Sequence, residues 1–196
     1  MQTQECFGCK GIYLKRSDVK PYQQYGIARY GVAIPECMAA MSEVLVKESE
    51  LYGYPQPAHR LIVDAVGLQH PPHREIQEKL GISSRFIDAS IQSIWIHGLA
   101  LYCFFEQEML AGKVVLIMKK TLDAIGKAGH TFSELKSPYD LGRIKMLDIN
   151  KMVMEKELTL KEYTQLAYKW AQSVWDAWEN QHDAFSALYK DCASIK

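Results

Sequence analysis

The stretch TLKEYTQLAYKWAQSVWDAWENQHDAFSAL, residues 159 to 188, decides the fold class. Thr159 and Glu162 stand three apart, the spacing at which a hydroxyl and a carboxylate cap each other's first-turn amides, so a helix starts here. From there Tyr163, Leu166, Ala167, Trp170, Val174, Trp178, Phe185 and Leu188 recur at steps of three and four, the repeat of one buried helical face. One long carboxy-terminal helix is predicted, with Trp170 and Trp178 in the core and Trp175 the more exposed indole.

The same period runs back through the chain. Residues 113 to 127 form another amphipathic pattern, and residues 86 to 109 are apolar nearly all round from Ile94 onward, which marks a central buried helix. HRLIVDAVGLQH, residues 59 to 70, reads as a helix that Pro71 and Pro72 force to end, although β-branching in LIVDAV alone also allows a strand. Pro35 suits a first helical position, and Met38, Met41, Val44 and Leu45 continue one stripe, so a helix is expected from 35 to 52. Residues 1 to 34 carry Gly8, Gly11, Pro21, Gly26 and Gly31, which interrupt any period and leave a loop-rich arm. The expected architecture is all-α. A single domain, 1 to 196, consists of an irregular arm (1 to 34) and an antiparallel helical bundle (35 to 192) around residues 86 to 109.

Composition narrows the function classes. Of 196 residues 48% are hydrophobic, enough apolar area for one well-buried core. Lysine plus arginine balance aspartate plus glutamate at 23 each with no basic stripe, which argues against nucleic acid as a partner. The start, MQTQECFGCK, has no signal-peptide pattern, and the longest apolar run, Ile94 to Phe105, is too short to span a bilayer and contains His97. A cytoplasmic protein with no membrane partner is expected. An odd five cysteines in a reducing compartment then point away from disulfides and toward metal or redox chemistry.

The cysteines supply the first chemical clue. A two-residue gap lets Cys6 and Cys9 turn both sulfurs toward one zinc ion, and Cys37, in the first turn of a helix opened by Pro35, sits where unpaired amides favour a thiolate. A thioredoxin-like redox pair would need a strand before it and a helix after it, a pattern absent around residue 6. The fourth ligand falls to His70 or His73 at the Pro-Pro corner, with His70 favoured. Cys103 and Cys192 read as structural thiols.

A second set of residues is harder to place. His59 and His70 are eleven apart, about three turns, and so share a helical face. His97 lies in the buried central helix and His182 on the apolar face of the last one. Singly, each histidine reads best as a hydrogen-bonded core residue. Together with Asp64 they would form a second metal site or acid–base pocket, if the helices bring His59, Asp64, His97 and His182 to one place. The chain has no G-x-S-x-G, H-E-x-x-H, G-x-x-x-x-G-K-[ST] or G-x-G-x-x-G motif, which removes the main support for common hydrolase and nucleotide-binding assignments.

Three blocks, CFGCKG with the later IPECMA, HRLIVDAVGLQHP with SIQSIWIHGL, and KWAQSVWDAWENQH, resemble an uncharacterised bacterial domain family of unknown function, family number 5946. The resemblance covers most of the chain. The family pattern has a Cys-x-x-Cys start, a Cys-Trp pair, an HxLxVDAYxxQHPG core, a VHLxGL segment and a WAxSVWxAWxxHH end. This chain departs from it at Met38, Val66, Gly67, Pro72 and Gln181, none of them a candidate ligand. The resemblance implies that Cys6, Cys9, Cys37, His59, Asp64, His70, His97 and His182 occupy motif positions, and it implies no activity.

Two functions compete on this reading. One is a binding or regulatory module for a protein or small molecule, in which zinc fastens the amino-terminal arm to the helices. The other is a metal-dependent, hydrolase-like enzyme using the histidine cluster. A redox or metal sensor that releases zinc on oxidation of Cys6 and Cys9 is a third.

Overall fold

A computed structural model of the chain describes residues 2–19, 33–128 and 132–193. Those residues form α1 (Pro35–Tyr52), α2 (Ala58–Gln69), α3 (Arg74–Lys79), α4 (Ser84–Phe105), α5 (Ala111–Ala128), α6 (Met146–Glu155), α7 (Leu160–Ala177) and α8 (His182–Ala193). The helical class expected from periodicity is the one observed. LIVDAV is helical within α2, and no described helix is long and apolar enough to cross a membrane.

Helix boundaries follow local chemistry. Pro35 opens α1, and the Thr159 hydroxyl accepts from the Glu162 amide at 3.3 Å while the Glu162 carboxylate accepts from the Thr159 amide at 2.8 Å, which starts α7. Two short helices carry weaker signals. In α3 only Gln77 is buried, so no apolar stripe marks it, whereas α6 buries Met146, Ile149 and Val153 at helical spacing.

The expected single carboxy-terminal helix is two. α7 ends at Ala177, one 3-10 turn covers Glu179–Gln181, and α8 begins at His182. Trp178 at the break donates its indole N–H to the Leu68 carbonyl at 3.2 Å, and Phe185 beyond it packs against Trp95, Trp175 and Trp178. Turning the chain there puts both aromatic rings in the core. No glycine or proline marks the turn, and the apolar spacing runs through it unbroken. Trp175 is also inside rather than exposed, its indole donating to Glu106 Oε1 at 2.9 Å.

The central element is shared. α4 meets α2, α5, α7 and α8, but α2 makes the broadest contact of all, against α7, and α1 packs on α6. α2 therefore carries the chemistry-bearing residues His59, Asp64, Gln69 and His70 along the middle of the molecule. Gln69 Nε2 donates to the Leu141 carbonyl at 3.1 Å, tying the loop before α6 to α2.

The described part of the amino-terminal arm is more ordered than its glycines imply; residues 20–32, with Pro21, Gly26 and Gly31, lie outside the described residues. β1 (Thr3–Glu5) and β2 (Ile12–Leu14) pair antiparallel with Gln4 opposite Tyr13. Of β2 only Tyr13 points inward, while Ile12 and Leu14 are exposed. Two three-residue strands with one buried side chain between them are not stable alone. The hairpin needs a further tether.

Candidate metal centre

The tip of that hairpin is the CFGCKG motif. The Cys6 amide donates to the Gly11 carbonyl at 2.8 Å and the Lys10 amide to the Cys6 carbonyl at 3.1 Å, folding the segment so that Cys6 and Cys9 both turn inward. Gly8 is dictated by its neighbour, because a Cβ there would stand 2.5 Å from His70 Cδ2 and 3.0 Å from the Gln69 carbonyl oxygen. The knuckle is thus seated directly on the carboxy-terminal end of α2.

Four side chains from three places meet at this contact. Cys6 and Cys9 come from the hairpin, Cys37 from the first turn of α1, and His70 from the residue that caps α2 ahead of Pro71. Their ligating atoms all lie within 4.8 Å of one another, and all four residues are buried. The Cys9 and Cys37 sulfurs are 3.8 Å apart, and Cys37 Sγ is 3.1 Å from His70 Nε2. His73, the other sequence candidate, is partly exposed at the start of α3 and stands outside this group.

The cluster has the chemistry of a cation site. His70 Nδ1 is 2.6 Å from the Val66 carbonyl oxygen, which can only accept, so Nδ1 carries a proton and Nε2 is the nitrogen that faces the sulfurs. Hydrogen bonding from Cys37, then from Cys6, holds the Cys9 thiol well below its usual pKa despite burial. Burial, with the neighbouring Cys6 and Cys9 sulfurs, pushes Cys37 well above it, so desolvation outweighs the helix start that was expected to favour a Cys37 thiolate. Burial opposes charge on His70, yet the sulfurs of Cys6 and Cys9 hold its pKa well above the ordinary imidazole value. Negative charge on sulfur drawing positive charge to its centre is the property by which this donor set would hold a metal ion.

Tyr13 completes the arrangement and was not among the sequence candidates. Its hydroxyl donates to Cys37 Sγ at 3.1 Å and lies 3.7 Å from Cys9 Sγ. Burial, then the charge of Cys37 and Cys9, raises its pKa, so it remains a donor to the sulfurs. No alternation in the sequence marks it, since Ile12, Tyr13 and Leu14 are all apolar-bodied; only the strand geometry turns the middle residue in.

The expected second cluster does not assemble. His59 Nδ1 bonds the buried Glu48 carboxylate at 2.7 Å, which ties α2 to α1. His182 stacks on Trp175 with ring centroids 3.8 Å apart and donates through Nε2 to the Trp175 carbonyl at 3.1 Å, closing the end of α7. Only Asp64 and His97 meet, at 2.8 Å. The inward-facing histidines serve three separate helix contacts because the stripes that carry them face different neighbours. Among the described residues, Cys6, Cys9, Cys37 and His70 form the only His, Cys, Asp and Glu group of metal-binding geometry. Cys103 and Cys192 lie apart from it as buried thiols, Cys103 pushed up to about 12 by burial.

Residues 4–179 match the Family of unknown function (DUF5946). The chain belongs to this family. The DUF5946 match takes in the whole cysteine–histidine cluster together with Asp64 and His97, and it ends short of His182. No curated protein and no solved structure matches the chain.

Proposed function

We propose that this DUF5946 protein binds one zinc ion through Cys6, Cys9, Cys37 and His70, and that the ion serves to fasten the amino-terminal hairpin to the helices of a binding or regulatory module. The observation that carries the reading is the convergence of three buried sulfurs and one imidazole nitrogen within 4.8 Å, drawn from parts of the chain up to 64 residues apart by number (70 − 6). Thiolates about 2.3 Å from a tetrahedral zinc stand roughly 3.8 Å from each other. The Cys9 and Cys37 sulfurs match that spacing at 3.8 Å.

A structural role fits the donor set better than a catalytic one. Three thiolates and one imidazole fill a tetrahedral site, whereas catalytic zinc keeps a position for water or substrate. All four side chains have no exposed surface. When bound, the ion supplies cross-linking and neutralisation of thiolate charge. The chain's own residues do the rest: Val66 orients His70, Tyr13 donates to Cys37, and Gly8 lets the knuckle close.

Metal analysis of the purified full chain tests this. About one tightly held zinc per chain is expected, and removing it with a chelator should make residues 1 to 19 protease-sensitive before the core helices yield. Protein that carries no stoichiometric metal and keeps its melting temperature in chelator would contradict the proposal.

A further inference from the structure

The three cysteines of the cluster differ in what a bond between them would join. Cys6 and Cys9 both belong to the knuckle, three residues apart by number (9 − 6), so a bond between them closes a ring within the hairpin and ties it to nothing else. Cys37 belongs to α1, 28 residues beyond Cys9. A bond from the knuckle to Cys37 joins the hairpin to the helices.

The contacts single out one such bond. The Cys9 and Cys37 sulfurs are 3.8 Å apart, and reaching a disulfide at about 2.05 Å closes that gap by less than about 2 Å. Tyr13 touches both members, its hydroxyl standing 3.1 Å from Cys37 Sγ and 3.7 Å from Cys9 Sγ. The base of the hairpin has a tether of its own: Arg16 donates to Glu43 of α1 at 2.6 Å, and Glu43 accepts from Asn150 of α6 at 3.0 Å. That clasp does not involve sulfur. A tip that lifts therefore stays hinged at Arg16 and returns to the same seat. Lifting is also how a reagent reaches the cluster, since its four residues have no exposed surface and two three-residue strands are the part of such a fold that opens first.

We infer that the cluster is a thiol switch in which hydrogen peroxide joins Cys9 to Cys37 and the ion is discharged while the hairpin stays fastened. Discharge of the ion rests on the zinc reading above; the choice of bond rests on the sulfur geometry alone. In the first step the Cys9 sulfur attacks a peroxide oxygen, the S–O bond forms, the O–O bond breaks, and the departing oxygen leaves as water. In the second the Cys37 sulfur attacks Cys9, the S–S bond forms, the S–O bond breaks, and hydroxide leaves as a second water. The protons come from the two thiols, or from solvent where a metal has displaced them. The two sulfurs lose two electrons in total, and one hydrogen peroxide takes them. Cys6 and His70 are then two ligands of four, too few to retain a structural ion. The new bond spans the junction of hairpin and α1 that the ion had spanned. A Cys6–Cys9 bond, the pairing that sequence spacing suggests, would discharge the ion and free the hairpin as well.

The test treats the full, zinc-loaded chain with hydrogen peroxide and follows zinc release with a chromogenic indicator, free thiols, protease resistance, and peptide mapping without reduction. Release of the bound zinc should accompany loss of two of the five thiols and a Cys9–Cys37 crosslink, with residues 1 to 19 as protease-resistant as in the loaded chain. Dithiothreitol should restore both thiols and zinc binding. A predominant Cys6–Cys9 or Cys6–Cys37 crosslink, oxidation to sulfinic acid without a crosslink, or a hairpin that turns protease-sensitive as the bond forms would overturn the inference. So would five intact thiols and retained zinc under peroxide that oxidises the exposed Met154. A chain isolated without zinc would contradict the metal reading alone, and the crosslink mapped in that chain still decides the pair.

Discussion

Two buried polar clusters sit about two turns apart on α2, and they are satisfied in opposite ways. At Asp64, Arg60 and His97 donate to the carboxylate, so the charge of the aspartate is answered by groups of the same chain. At His70, three cysteine sulfurs crowd one imidazole, with the Tyr13 hydroxyl and the Val66 carbonyl as further partners. Arginine and aspartate make a complete pair without help. Three thiolates and an imidazole do not, because each further deprotonated sulfur adds negative charge that the chain does not balance. The composition of a buried cluster, more than its size, decides whether a metal is needed.

The largest expected effect comes from breaking the sulfur cluster. Cys6→Ser or Cys9→Ser should remove the bound metal and cost on the order of 5 kcal/mol, since the energy of binding structural zinc is folding energy. Loss of metal with an unchanged thermal midpoint would show that the ion fastens nothing.

Next is Asp64→Leu. It removes the buried carboxylate that Arg60 and His97 share and should cost about 3–5 kcal/mol, whereas Asp64→Leu with Arg60→Leu should recover most of that. Metal content should be unchanged in both, which separates the two clusters. If the single variant also loses its metal, the clusters are one cooperative unit.

Much of this contrast was legible in the sequence. Cys6 and Cys9 announce themselves by spacing, Cys37 by its place after Pro35, and His70 by the Pro-Pro corner that stops α2 where its side chain faces the hairpin. Tyr13 was hidden because two strands of three residues are too short for alternation to stand out among glycines. The histidines misled for a related reason. Helical spacing gives a residue's face but not which helix that face meets, so His59 could not be assigned to Glu48 of α1, nor His182 to Trp175 of α7. The break at Trp178 was invisible for the same cause, being set by an indole that reaches the Leu68 carbonyl on another helix.

A smaller effect is expected at the seat of the knuckle. Gly8→Ala places a methyl group against His70 and should cost about 1–3 kcal/mol while loosening metal retention. Competition with a chromogenic chelator would measure the retention; an unaffected rate would mean that the knuckle does not bear on His70. Tyr13→Phe removes one donor to Cys37 and should cost only about 1 kcal/mol, with the metal still present. Wholesale metal loss in that variant would make Tyr13 an essential part of the site.

X-ray absorption at the zinc edge on the purified full chain reads the ligand set of the cysteine–histidine cluster. Three sulfurs at about 2.3 Å and one nitrogen at about 2.0–2.1 Å, with no bound water, are the expected shell. A shell dominated by nitrogen and oxygen, or one with an open position occupied by solvent, would contradict it.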